Sequence, residues 1–281
     1  MTRWWPAPAK LNLFLHIVGR RADGYHELQT VFQLIDLCDQ LAFEPADDGQ
    51  ITRIEGPAGL PAADDLVLRA ARALQHTADS RYGALIRLRK RIPMGGGLGG
   101  GSSDAATTLF ALNIIWKLSL SPQRLAEIGL GLGADVPVFL SGQNAWAEGV
   151  GECLTPLELP SRWYLVLHPG VSVATRDVFQ AAELTRNSPL RTIRALAPGD
   201  PDWRNDCEGV VRHQYPAVGE ALDWLGRWAP ARLTGTGSCI FSAFERAADA
   251  ERVAARVPDV WRAWVVRGLE RSPLLGGSGA G

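Results

Sequence analysis

Between Pro93 and Ala106 the chain reads Pro-Met-Gly-Gly-Gly-Leu-Gly-Gly-Gly-Ser-Ser-Asp-Ala-Ala, with six glycines in seven residues. Such density is incompatible with the interior of a helix or strand, because each glycine gives up more backbone freedom on folding than any other residue. Glycine also permits positive φ and lets bare backbone N–H groups approach a ligand closely. Two hydroxyls follow, Ser102 and Ser103, either of which can cap the helix that the small residues after Asp104 predict. Backbone donors at the positive end of a helix dipole form an anion site, so the segment reads as a phosphate cradle.

Three glycine-loop chemistries compete for it. A Walker A loop requires G-x-x-x-x-G-K-[ST]; Gly95 and Gly100 have that spacing, but Gly101 stands where the lysine belongs. A dinucleotide fingerprint is formally present as Gly95-x-Gly97-x-x-Gly100, a match that glycine-dense sequence produces almost automatically. The acid expected about 20 residues on is missing, since after Asp104 the next carboxylate is Glu127. Pro93, Gly97-Leu98-Gly99 and Ser102-Ser103 resemble a third pattern, of the P-x-x-x-G-L-G-S-S type.

With 281 residues, 46% of them hydrophobic, the chain is long enough for one large or two ordinary domains. A net charge of −1 supplies no field toward nucleic acid or membrane, and no run of about 18 apolar residues suggests a membrane span. Cys38, Cys153, Cys207 and Cys239 are scattered without a C-x-x-C pair, which fits reduced thiols in a cytoplasmic protein and no protein-held metal. Basic charge is almost all arginine. The three lysines are Lys10, Lys90 and Lys117, and the latter two read as surface residues.

Strands are expected over Leu11–Val18, Glu27–Leu37, Gln40–Glu44 and Leu85–Ile92, with a joint around Leu37-Cys38-Asp39. Asp64-Asp65 precede an amphipathic helix over Leu66–Leu74, and Ser121-Pro122 start another with Ser as cap and Pro at the first position. Further on, strands are expected at Trp163–His168, Leu233–Phe244 and Ala263–Val266. Helices are expected at Val178–Leu184, Tyr215–Trp228 and Ala247–Arg256. The irregular alternation indicates an α+β fold. The glycine-rich end, residues 276–281, is expected to be disordered. The opening Arg3-Trp4-Trp5 has no reading at this level.

The third glycine pattern resembles the phosphate loop of the GHMP kinases, small-molecule kinases for galactose, homoserine and mevalonate among others. Further segments resemble one branch of that family, whose acceptor is a cytidine-diphosphate-linked methylerythritol. They are Pro8-Ala9-Lys10-Leu11-Asn12-Leu13, Arg21 to Leu28, Leu132 to Pro137, Gly149 to Glu152, Asn205 to Glu208 and Leu233 to Cys239. Nearly the whole chain is covered, in order. The resemblance implies a ribosomal-S5-like N-terminal domain over residues 1–155 and a ferredoxin-like C-terminal domain over 156–275, with the site between them. It also implies ATP as phosphoryl donor, with Mg²⁺ arriving on the nucleotide, and a monomer or weak homodimer.

The resemblance gives Pro93, Met94, Gly95, Gly96, Gly97, Leu98, Gly99, Gly100, Gly101, Ser102 and Ser103 to the nucleotide phosphates. It makes Asp135 the base that accepts the acceptor's hydroxyl proton. A carboxylate between Ala134 and Val136-Pro137 needs a partner or a function, since burying one unpaired is costly; a helix cap is the alternative. Lys10 could pair with Asp135 and stabilise transferring charge. Asn12 lies on the same strand face and could bind substrate, or bond to backbone. Tyr25 and His26 follow a turn glycine; the resemblance stacks Tyr25 on cytosine and lets His26 read its edge. Phe179, after Thr175, matches the second stacking residue, though on its own it reads as helix core. Gly235, Thr236 and Gly237 would close the site with backbone donors, or form a tight turn. Asp104 reads as a cap without catalytic duty. His16, His76, His168 and His213 have no ligand spacing.

Overall fold

The computed structural model describes residues 2–193 and 203–276. Two sheets organise it. The first contains β1 (Trp4–Arg20), β2 (His26–Ala46), β3 (Ile51–Glu55), β4 (Gly83–Arg89), β5 (Ala145–Glu148) and β6 (Cys153–Pro156). Its order is β3-β4-β2-β5-β6, with β1 laid antiparallel along β2. One face carries α1 (Leu66–Thr77), α2 (Gly100–Ile115), α3 (Pro122–Leu130) and α4 (Val136–Ser141), whose apolar sides meet Phe32, Leu34, Leu41 and Ile86 in a common core.

The second sheet contains β7 (Trp163–His168), β8 (Arg232–Leu233), β9 (Ile240–Phe244) and β10 (Arg262–Arg267), in the antiparallel order β10-β7-β9-β8. Between β7 and β8 lie α5 (Thr175–Gln180), α6 (Glu208–Gln214) and α7 (Pro216–Gly226). Between β9 and β10 lies α8 (Ala247–Ala254), and α9 (Pro273–Gly276) follows. This βαββαβ sequence with its split strand order is the ferredoxin-like arrangement, and the whole is α+β as the sequence indicates.

The first two strands are longer than the alternation predicts. Leu11–Val18 is the middle of a strand that begins at Trp4 and runs through Pro6 and Pro8. The prolines are tolerated because β1 pairs only with β2, so their missing N–H groups break no second ladder. The expected joint at Leu37-Cys38-Asp39 is instead a bulge, a register shift opposite Pro8/Ala9 within one strand. The Trp-rich opening now has a role. Trp5 is buried edge-on to Phe110, and the Arg89 guanidinium lies 4.0 Å over the Trp4 ring. Asp65 caps α1 by accepting from Val67 and Leu68, and Ser121 caps α3 with Pro122 at its first position. The α5 helix ends at Gln180, short of Leu184. Gly276 closes α9, and the rest of the expected tail, 277–281, lies outside the described residues.

Candidate active site

Where β1 meets the glycine loop, the two sheets enclose a cavity of about 650 Å³. Lys10, Asn12, Pro93 through Ser102, Asp135, Thr175, Phe179, Gly235 and Thr236 line it. Ser103, Tyr25, His26 and Gly237 do not touch that volume. Ser103 is buried beneath the loop, and Gly237 is buried in the β8–β9 turn. Tyr25 is 65% exposed at the rim, and His26 joins the wall through Phe179, its ring stacked on the phenyl at 5.1 Å and 25°.

The phosphate loop is held in shape by positive φ at Gly95, Gly97 and Gly99. Gly99, not a serine, precedes the first turn of α2 as its N-cap, so Ser102 and Ser103 lie inside the helix, contrary to the sequence expectation. A left-handed glycine lets the chain turn straight into the helix, leaving the first amides without side-chain caps and open to an anion. The loop rests on the β8–β9 turn. Cys239 N donates to the Gly96 carbonyl (3.0 Å), and Thr234 Oγ1 donates to that of Gly97 (3.2 Å). Gly235 to Gly237 thus form a tight turn that lies directly against the cradle.

Lys10 is buried, with 3% of its surface exposed. Its Nζ donates to Asn12 Oδ1 (2.5 Å) and to the Gly97 carbonyl (3.1 Å), and lies 3.2 Å from Asp135 Oδ2. Asp135 precedes α4 but makes no capping hydrogen bond, so the cap alternative fails and its carboxylate is turned to Lys10. The Asn12 amide bonds Lys10 and donates to Thr30 Oγ1 (2.9 Å), which makes it an orienter of the lysine. Thr175 and Thr236 hydroxyls meet at 2.8 Å across the second-sheet side of the cavity.

Two sequence expectations need correction here. Lys90 is no surface residue: Nζ sits 2.5 Å from Asp39 Oδ2 and 2.8 Å from Asp104 Oδ2. Asp104 is not a cap, because α2 begins four residues before it; it is 2% exposed and lines the cavity. Burial raises its pKa, Lys90 opposes that, and Asp39 adds to it; the net effect is a carboxyl pushed up to about 8. Burial works against the Lys90 ammonium, but Asp104 and Asp39 outweigh it and hold its pKa above the ordinary value. The sequence signal for this cluster was the rarity of lysine. Lys117 is exposed as expected, as are His76 and His213, while His16 and His168 are buried.

Among the described residues no group of three or more His, Cys, Asp or Glu side chains could hold a metal, and no helix is long and apolar enough to cross a membrane. A family model described as GHMP kinases N terminal domain matches residues 65–143, and one described as GHMP kinases C terminal matches 182–263. A 4-diphosphocytidyl-2-C-methyl-D-erythritol kinase of Alkalilimnicola ehrlichii is 58% identical over 275 residues, covering 98% of this chain and 94% of its own. Its counterpart from Nitrosococcus oceani is 56% identical, covering 96% of each. A crystal structure of 4-(cytidine 5'-diphospho)-2C-methyl-D-erythritol kinase superposes with a TM-score of 0.83 at 36% identity, covering 95% of this chain and all of that one. The Methanococcus jannaschii mevalonate kinase shares the fold at a TM-score of 0.70 and 14% identity, covering 96% of this chain and 99% of its own. By model, by relative and by fold, this chain belongs to the GHMP kinase family.

Proposed function

We propose that the chain transfers the γ-phosphoryl group of ATP to the 2-hydroxyl of 4-diphosphocytidyl-2-C-methyl-D-erythritol, yielding the 2-phosphate and ADP in non-mevalonate isoprenoid precursor biosynthesis. The observation that carries it is the Lys10–Asp135 pair at 3.2 Å, set between an amide-rich phosphate loop and the His26–Phe179 aromatic pair. The substrate's name comes from relatives that match almost end to end.

Phosphoryl transfer is mainly positioning and charge neutralisation. The loop amides and the first turn of α2 receive the phosphates. The acceptor oxygen forms its bond to the γ-phosphorus as the bond to the β-bridging oxygen breaks, and ADP leaves with that electron pair. The hydroxyl proton passes to an Asp135 carboxylate oxygen. Lys10, fixed by Asn12 and Gly97, stabilises charge on the phosphoryl oxygens in flight. Mg²⁺ would arrive on the nucleotide, held mainly through the phosphates and its own waters. Bound there, it would supply positive charge against that of the phosphates. Ser102, in the cavity lining at the mouth of the loop, is a side chain that would help to hold it.

Tyr25, His26 and Phe179 take the cytosine, with Thr175, Gly235, Thr236 and Gly237 toward the diphosphate and polyol. Four cysteines free of disulfides accord with a cytoplasmic enzyme, acting as a monomer or weak homodimer on a small molecule. A coupled assay for ADP release, run with the cytidyl substrate and its uridyl analogue, tests the reading. Strong preference for the cytidyl compound is expected; equal turnover, or none with either, refutes it.

A further inference from the structure

Arg186, in the segment after α5, is half-buried without a carboxylate partner among the described residues. Its Nη atoms donate to the carbonyls of Phe179 (3.1 Å), Ala181 (2.6 Å), Ala182 (3.4 Å) and Leu184 (3.0 Å). Its Nε donates to His26 Nε2 at 3.1 Å. A guanidinium does not lose its protons, so whatever faces it must offer a lone pair. His26 Nε2 is therefore the bare nitrogen, and a neutral ring must carry its proton on Nδ1. Burial, Arg186 and then Arg20, the register partner of His26 on β1, hold the His26 pKa below the ordinary histidine value. The same guanidinium holds the main chain of Phe179, whose ring lies parallel to the imidazole, so one side chain orders both members of the stack. Among the described residues Nδ1 has no acceptor.

We infer that Arg186 is a positioning residue that locks His26 as the neutral Nδ1–H tautomer, so that the imidazole offers the pyrimidine a hydrogen-bond donor and not an acceptor. The inference rests on the reading that His26 and Phe179 hold the base. A donor complements the ring nitrogen and carbonyl of cytosine, which both accept. The corresponding ring nitrogen of uracil carries a proton and meets it unfavourably. Discrimination then comes from an unmatched polar group rather than from shape.

Nitrogen–proton correlation spectra of ¹⁵N-histidine-labelled protein, without substrate, read the tautomer directly. In the wild type His26 should show a protonated Nδ1 and bare Nε2 at about pH 8 and hold that form to lower pH than Arg186→Met does. In Arg186→Met its pKa should rise toward the ordinary histidine value, with burial and Arg20 still holding it down, and both tautomers should be populated. The KM for the cytidyl substrate should rise roughly tenfold at the alkaline end, where the neutral ring is free to place its proton on Nε2, with kcat little changed, the size of one lost hydrogen bond. Arg186→Lys, which keeps one donor, should restore the tautomer in part. A wild-type spectrum with a proton on Nε2 overturns the inference, whether or not the methionine variant folds. So does a variant whose His26 titrates like the wild type. A tautomer that shifts while the cytidyl KM stays put upholds the hold of Arg186 on His26 but refutes the base-pocket reading, and the specificity role with it.

Discussion

Lys10 Nζ has three oxygens within 3.2 Å, and the only carboxylate among them is that of Asp135. In the proposed mechanism the two residues serve one step, so their losses should not add. Asp135→Asn should lower kcat by about 10²–10⁴ while leaving ATP affinity intact, and adding Lys10→Met should cost little more. Single-turnover kinetics with titrated nucleotide binding checks this; a fully multiplicative double variant would mean the pair does not act together. A second residue-scale outcome concerns pH. Folded Asp104 keeps its proton up to about 8, whereas an unfolded aspartate releases it near ~3.9. Between those values the folded chain binds more protons than the unfolded one, so this group makes stability fall as pH rises through the window. Asp104→Asn removes that slope, and melting curves should show the variant gaining on the wild type from about pH 5 to about pH 9. A constant difference would refute the buried proton. Lys10 and Asp135 were legible in the sequence because each stands in a motif. Lys90 was not, since its partner Asp39 lies 51 positions away and only β2 beside the end of β4 brings them together.

At the scale of elements, the contact between the phosphate loop and the β8–β9 turn is backbone against backbone. Gly97 has φ +73°, and a Cβ there would lie 2.1 Å from the Thr234 carbonyl oxygen and 3.0 Å from that of Gly237. Neither carbonyl can rotate away without breaking the turn. Gly59 supplies the comparison, with φ +74° and nothing within 4 Å of a built Cβ. Gly59→Ala should cost only the backbone strain, roughly 1–2 kcal/mol, with nucleotide binding unchanged. Gly97→Ala should cost more than that and weaken ATP binding at least about tenfold, as the loop parts from its support. Thermal melts with nucleotide titration compare the two, and equal effects would mean that the loops do not brace each other. The glycines announced a loop; that the loop leans on a second glycine turn 137 residues later was invisible to any local pattern. The same limit explains the strands. Alternation located the apolar middle of β1 and β2, but it began β1 only at Leu11 and broke β2 around Cys38, where pairing shows a strand running from Trp4 against a single partner and a bulge within β2.

Over the whole molecule, the two sheets share a core in addition to the one each closes with its own helices. Leu11, Phe14 and Ile35 of the first pack in one cluster with Val166, Phe241 and Val266 of the second. The main chain crosses as well: Leu15 N donates to the Arg204 carbonyl, Asp206 N to that of Leu15, and Ile17 N to Asp206 Oδ2 at 2.7 Å. Beyond β10 the chain returns to the first sheet. Leu269 N donates to the Leu34 carbonyl, Ser272 N to that of Gly142, and Leu274 enters the first core. Neither half can unfold without exposing apolar surface and unpaired amides on the other, and each such amide costs about 1–3 kcal/mol. The protein should therefore melt in a single transition, with calorimetric and van't Hoff enthalpies in agreement, despite containing two sheets. Phe241→Ala deletes a ring that is 1% exposed and edge-on to Tyr164, at a typical cost of about 3–5 kcal/mol. Because that ring belongs to the shared core, the variant should melt earlier and still in one step. Two resolved transitions, in the wild type or the variant, would show that the halves are independent and that the site between them is assembled by docking instead of by folding.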